Sequence, residues 1–421
     1  MKLTTDLKTI NQEVFSVKGR VTGVKYLIII LFLVVLIFTI IFGVNILKED
    51  EWTGAWTASM QAPHSKGISH EGFKDKTIRM IIQPHIEGGK LRLRLSNTFS
   101  QGPLKIEEVR IAVSRNHDVI VPDTDHIVKF DGEQAVTILP GKDKTSDSIP
   151  FKVDSQQPLA VSLYVKDATG PVDWHPRSIQ TNYITEGNKA GDEEWPAYRQ
   201  EEESWFWIEA VDVQADKSVK GALVVLGSSI ANGNQSTIND NHRWPDYLSD
   251  RMKESETLMS VLNAGISGNQ LIESTPDKGE SALERIHRDV FDQTAVKAVI
   301  LHQGLNDIRH HPEYSAKDIT KAMKKIIEKT HKEGLKIYGG TLTPYKGSGM
   351  FTEEGEKVRQ EVNDWIRKSG EFDGVIDFDK AVRDPKNTER YLPEYDAGDH
   401  LHPNDAGYEK MADAVDLSMF K

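Results

Sequence analysis

The spacing of apolar residues changes twice along this chain. Residues 26–47, YLIIILFLVVLIFTIIFGVNIL, run without a single charged position. A helix of that length, rising about 1.5 Å per residue, crosses a hydrocarbon layer of roughly 30 Å, so the run predicts a transmembrane helix. From residue 51 to 217 the pattern alternates at period two. TIRMIIQP (77–84), KLRLRLSN (90–97) and LAVSLYVKD (159–167) read as half-buried strands, with VRIAVS (109–114), AVTILP (135–140) and WFWIEAVDV (205–213) beside them. Turn signals such as EGG (87–89) separate them, and many short strands with few helical stretches predict a β-sandwich, jelly-roll-like domain.

From residue 219 to 421 the rhythm becomes strand, helix, strand, helix. ALVVLG (222–227), MSVLNAG (259–265), KAVILHQG (297–304) and KIYGGTL (336–342) read as buried parallel strands. WPDYLSDRMKE (244–254), ALERIHRDVF (282–291), ITKAMKKIIEKTHKEG (319–334) and GEKVRQEVNDWIRKSG (355–370) read as helices. In the third of these, Ile319, Met323, Ile326, Ile327 and Thr330 share a face and Gly334 follows as the stop. This alternation predicts an α/β fold of three layers. The expected organisation is a tail over 1–25, the span over 26–47, a β domain over 51–217 and an α/β domain over 219–421.

Charge adds orientation. Lys2, Lys8, Lys18, Arg20 and Lys25 precede the apolar run and KEDE (48–51) follows it. The basic side stays in the cytoplasm, which places the large remainder outside a cell membrane as a single-pass, uncleaved anchor. A net charge of −12 without a basic face speaks against a nucleic-acid partner. The absence of cysteine excludes disulfides, thiol catalysis and cysteine–metal sites.

In open parallel sheets, sites form at the carboxyl ends of the strands. There the chain places Gly227-Ser228-Ser229, then NAGISGNQ (263–270), then QGLNDI (303–308), and near its end DAGDHLHPNDAGY (396–408). Each piece has a plain structural reading. Ser229 is a good helix cap, Gly268 a turn glycine, Asn306 an N-cap with Asp307 sharing the work, and DHLHP a surface or metal-binding loop. Their succession suggests chemistry instead. A serine hydroxyl needs a base, a histidine can supply it when a carboxylate orients its other nitrogen, and a developing oxyanion needs fixed donors.

Those four stretches resemble the motifs of the SGNH (GDSL-type) serine hydrolases, whose signature residues are Ser, Gly, Asn and Asp-x-x-His. LGSSIANG matches the first, NAGISGN the second, GLND the third and DHLH the last. RWPDYL (243–248), VRQEVNDWIR (358–367) and FDGVIDFDKAVRDP (372–385) resemble a bacterial subgroup that carries an N-terminal β domain. GAWTASM (54–60), LRLRLSNTF (91–99) and WHPRSIQTNY (174–183) resemble that β domain, so the likeness covers roughly residues 51–421. It implies a flavodoxin-like α/β/α domain and an acyl-enzyme on Ser229. His402 and Asp399 complete the triad, and an oxyanion hole is built by the Ser229 and Gly268 N–H groups and the Asn306 side chain. It implies no metal and no organic cofactor. One position departs: the family carries Asp where this chain has Ser228, which leaves the triad in place and bears on rate and pH optimum.

The expected activity is that of an extracellular carboxylic ester hydrolase. Its partner would be an acyl-ester substrate of short chain, with carbohydrate O-acetyl esters on a cell-surface or environmental polysaccharide as the favoured class. A general lipase or esterase, and an acyltransferase, would use the same residues. An inactive surface glycan-binding protein is the alternative of another class. Other residues have plainer readings: His310-His311 as an exposed loop, His242 as structural, and 192–204 as a solvated acidic loop. Trp205 and Trp207 would share one strand face and either pack the β domain against its neighbour, the favoured reading, or form a sugar-stacking platform.

Overall fold

The computed structural model describes residues 52–116, 118–195 and 199–421. The segment 26–47, expected to span a membrane, lies outside the described residues; among those described, no helix is long and apolar enough to cross one. Trp52–Lys421 forms one compact unit.

In the β-rich half the period-two pattern sorts side chains as alternation requires. Leu91, Leu93 and Leu95 point into the core, while Arg92 and Arg94 between them point the other way. Two antiparallel sheets enclose that core. One orders the strands Trp52–Thr57, Ile208–Ala215, Gly88–Asn97 and Ile149–Val153, with Val211 opposite Leu93. In the other, Leu159–Val165 lies between Lys76–Ile82 and Glu108–Asn116, with Leu163 opposite both Ile78 and Val109. Ile78, Met80, Leu93, Val109, Leu163 and Val211 meet in the shared core.

The predicted strand over 205–213 is broken. Trp207 has a φ of 58°, outside the strand region, so Ser204–Phe206 and Ile208–Ala215 pair with different partners. Trp205 then meets Trp56 edge-on, and Trp207 meets Phe73 in the sandwich core. The two tryptophans do not share a strand face. The acidic stretch after 192 is not all loop: Gln200–Glu202 pairs with Asn182–Glu186.

The sheet type changes across the Asp216–Gly221 connection. The second half has five parallel strands: Ala222–Gly227, Ser260–Gly265, Val296–His302, Lys336–Gly340 and Gly374–Ile376. Counted along the chain, their spatial order is second, first, third, fourth, fifth. This is the flavodoxin-like order, whose switch point lies beside the first strand. Apolar clusters cover both sheet faces, one including Val224, Leu262, Ile319 and Val362, the other Val225, Val261, Trp244 and Tyr408. The helix Ala316–Lys332 starts on a Ser315–Asp318 capping box and buries the expected face, and Gly334 leaves it at a φ of +72°. The helix expected at 282–291 is α only over Ala282–Ile286 and widens to a π-turn over His287–Phe291.

Polar contacts join the halves. Arg94 donates to Asp292 O at 3.0 Å and Gln293 Oε1 at 2.7 Å, and Thr294 donates to Asp212 at 2.8 Å. His85 reaches Asp246 at 3.0 Å, and Arg243 donates to the Ser178 carbonyl at 2.6 Å.

Candidate active site

Gly227, Gly265 and His302 are level across the first three strands, so the loops that follow emerge side by side. Ser229 opens a one-turn helix, Ser229–Asn232, directly after the first strand. A Cβ on Gly227 would lie 2.3 Å from Ala231 Cβ, so a glycine is needed for the chain to turn this sharply. Gly233, at a φ of +88°, ends the turn, and its N–H and that of Asn234 both return to Ser229 O.

The Asp399–His402 loop comes to meet this serine. His402 Nε2 lies 2.9 Å from Ser229 Oγ, and His402 Nδ1 lies 2.6 Å from Asp399 Oδ2. The other oxygen of Asp399 accepts the backbone N–H groups of Leu401 at 3.0 Å and His402 at 2.9 Å. Burial opposes the Asp399 charge, but the His402 ring and those two N–H groups outweigh it and hold the carboxyl well below its ordinary range. An ionised Asp399 keeps the proton on Nδ1 and leaves Nε2 free to accept from the serine hydroxyl. Ser229 and His402 are each 8% exposed.

The second and third loops are tied to each other and to the serine loop. Asn306 Nδ2 donates to Asn269 O at 3.0 Å, next to Gly268, and an amide has a second N–H to offer. Gly268 sits at a φ of +78°, a conformation that favours glycine. Asn232 Nδ2 donates to Ser267 Oγ at 3.1 Å, which links the nucleophile turn to the residue before Gly268. Ser229, Gly268, Asn306, Asp399 and His402 thus lie on loops that the fold brings to one place.

Several supporting residues carry no motif signal. Arg285, fully buried, donates to Gly227 O at 2.9 Å, Ala264 O at 2.8 Å and Asn269 Oδ1 at 3.0 Å. Gln303 donates to the same Gly227 O and Asn269 Oδ1. Asp307 accepts the N–H groups of Leu271 at 2.8 Å and Ile272 at 2.9 Å; burial pushes its carboxyl up to about 6 against those two donors. Asp307 therefore joins the third loop to the second rather than capping a helix.

The β-rich half also reaches the site. His175 Nε2 lies 2.8 Å from Asn232 Oδ1 and its Nδ1 lies 2.8 Å from Ser59 O. Burial pushes the ring below its ordinary pKa, and a neutral ring donates to one of these oxygens at a time. Asn232 Nδ2 also donates to Arg177 O at 2.9 Å.

Other histidines separate by partner. His400 Nδ1 faces Asp396 at 2.5 Å, and His242 faces Asp405 at 2.8 Å. His310 and His311 are not simply an exposed loop: His310 ends the helix Leu305–His310, and half-buried His311 lies 2.9 Å from Gln270 Oε1. Ser228 precedes the nucleophile turn at a φ of −113° and a ψ of −146°, outside the helical region, and its carbonyl accepts the Asn232 N–H at 2.8 Å.

A flavodoxin-like sheet with a hydrogen-bonded Ser–His–Asp set at its switch point defines the class of serine-hydrolase α/β folds. Residues 225–410 match the model of the GDSL-like lipase/acylhydrolase family, which supports an SGNH hydrolase domain in this part of the chain. A search of curated proteins returned no significant match. Similar solved structures include the native aryl esterase of M. smegmatis, with 15% identity, 46% of this chain and 95% of that one covered, and a TM-score of 0.38. A carbohydrate acetylesterase family member from Sinorhizobium meliloti has 12% identity, 46% and 94% coverage, and a TM-score of 0.38. The acetyl xylan esterase AlAXEase has 20% identity, 46% and 96% coverage, and a TM-score of 0.35.

Proposed function

We propose that the protein hydrolyses short acyl esters through an acyl-enzyme on Ser229. The observation that carries this reading is the continuous contact from Ser229 Oγ to His402 Nε2 at 2.9 Å and from His402 Nδ1 to Asp399 at 2.6 Å. Ser229 Oγ attacks the ester carbonyl while His402 Nε2 takes its proton. The tetrahedral oxyanion is held by the Ser229 and Gly268 N–H groups and the second N–H of Asn306. His402 returns the proton to the departing alcohol. Water, deprotonated by His402, then releases the acid and frees the serine.

The location belongs to the same proposal. The uncharged run at 26–47, with five basic residues before it, supports an anchored protein whose catalytic part lies outside the membrane. That location makes O-acetylated surface polysaccharide the favoured substrate. The test is release of p-nitrophenol from p-nitrophenyl acetate by the full chain in neutral detergent, beside Ser229→Ala and Ser228→Ala. Loss of the nucleophile lowers kcat/KM by at least about a thousandfold, whereas Ser228→Ala turns over. Equal rates in all three would assign the signal to background hydrolysis and remove Ser229 from its role.

A further inference from the structure

The oxyanion donors have cations beside them that nothing in the hydrolytic mechanism uses. Lys278 lies over Gly268: a Cβ built on that glycine would sit 2.6 Å from Lys278 Cδ and 3.0 Å from its Cε. Lys278 is exposed. Arg309, half-buried, donates to Asn306 Oδ1 at 3.1 Å and to Gly349 O at 3.2 Å, and its Nε is buried without a partner among the described residues. The two side chains therefore flank the two loops that supply Gly268 and Asn306.

Most of the neighbouring carboxylates hold other groups. Glu280 pairs with Arg288, and Glu273 accepts from the Tyr314 hydroxyl. Glu313 faces His311 at 3.2 Å, Asp307 holds two backbone N–H groups, and Asp399 holds His402. Asp277, next in the chain to Lys278, is exposed and forms no ion pair with it among the described residues. Two cations without an ion-pair partner among the described residues thus stand beside the oxyanion loops of a chain whose net charge is −12. Burial first, and then Arg309, His311 and Lys278, push the pKa of His310 down, which places both cations near that ring.

Unpaired cations at a site entrance raise the local concentration of anions and orient them, and a guanidinium suits the planar fork of a carboxylate or phosphate. Resting on the reading of Ser229 as the ester-cleaving nucleophile, we propose that Lys278 and Arg309 form an anion subsite. The physiological ester is then carried on a molecule with a carboxylate or phosphate close to the acyl group, such as an acidic O-acylated polymer. The subsite acts on binding, so its signature lies in KM.

The experiment compares acetate release by the full chain from O-acetylated polygalacturonate, O-acetylated poly(glycerol phosphate) and neutral acetylxylan, with p-nitrophenyl acetate as reference. At low salt one acidic polymer is preferred over acetylxylan by about tenfold or more in kcat/KM, and which one wins separates carboxylate from phosphate carriers. The preference collapses at about 0.5 M NaCl, where the Debye length is only roughly 4 Å. Lys278→Glu lowers the acidic-to-neutral ratio about tenfold through KM, and Lys278→Arg retains it. A merely structural lysine would lower all substrates alike. If p-nitrophenyl acetate is cleaved in a Ser229-dependent way but the ratio is flat and insensitive to salt and to Lys278→Glu, the anion subsite is overturned and the esterase reading stands. If no Ser229-dependent cleavage occurs on any substrate, both are overturned.

Discussion

Replacing Asp307 by asparagine separates stability from activity in a way that depends on pH. Asp307 is fully buried, with one oxygen on the Leu271 N–H at 2.8 Å and the other on the Ile272 N–H at 2.9 Å. Its ordinary value of 3.8 is pushed up to about 6 by burial. That rise corresponds to about 3 kcal/mol between the protonation states. The folded protein holds this proton more tightly than the unfolded chain does. The contribution is therefore fully present below about pH 4 and is lost as pH rises through about 6. An amide cannot ionise, but its nitrogen cannot accept, so one of the two backbone N–H groups loses its partner at a cost of about 1–3 kcal/mol at every pH. Asp307→Asn should be less stable than wild type near pH 4 by that lost bond, and the difference should move in the variant's favour by about 2–3 kcal/mol between pH 4 and pH 8. Activity should move the other way. Near pH 8 the carboxylate accepts both N–H groups, whereas the amide turns its own N–H2 toward one of them and loosens the loop after Gly268. A fall of about tenfold in kcat follows if that loop shifts enough to weaken one oxyanion donor. Urea unfolding of wild type and variant across pH 4 to 8, beside p-nitrophenyl acetate turnover at pH 8, checks both halves. A stability difference constant over that range, or one that moves in favour of wild type as pH rises, would refute the reasoning.

Two further substitutions test the triad and its support. In Asp399→Asn the side-chain oxygen can keep the Leu401 and His402 backbone N–H groups, so its N–H2 faces His402 Nδ1 and drives the ring proton to the nitrogen beside Ser229. By the magnitude known for this change in serine proteases, kcat falls about ten-thousandfold with little change in Tm, and a loss below about tenfold would remove Asp399 from its role. His175→Phe removes the one hydrogen bond the neutral ring donates, to Asn232 or to Ser59, and leaving that buried acceptor unpaired costs about 1–3 kcal/mol. Urea titration reads that loss, and a several-fold drop in kcat alongside it would show that the β-rich half positions the nucleophile turn, whereas an unchanged kcat would limit it to support.

Much of this molecule was legible because its information is local. Leu91, Leu93 and Leu95 announce a strand by alternation, and Ile319, Met323, Ile326 and Ile327 announce a helix by their spacing. Three motifs follow successive strand ends, where an open parallel sheet gathers its chemistry, and the fourth sits on the loop before the last α-helix. Alternation failed at Trp207, because a single residue at positive φ re-aims the chain without leaving a mark in hydrophobicity. It failed again at 282–291, where a π-turn has nearly the periodicity of the α-helix it interrupts.

The sequence by itself determined the kinds of element, the change from antiparallel to parallel sheet near residue 219, and the residues to be gathered around Ser229. Only the tertiary structure decided what holds them. Arg285 binds Gly227, Ala264 and Asn269 at once; His175 crosses from the β-rich half to Asn232; Lys278 lies over Gly268 without a carboxylate partner among the described residues. The physical reason is that periodicity reports only which face of an element meets apolar surroundings. A hydrogen bond or an unpaired charge depends on the positions of two groups far apart in the chain, and those positions exist only once the sheets have packed.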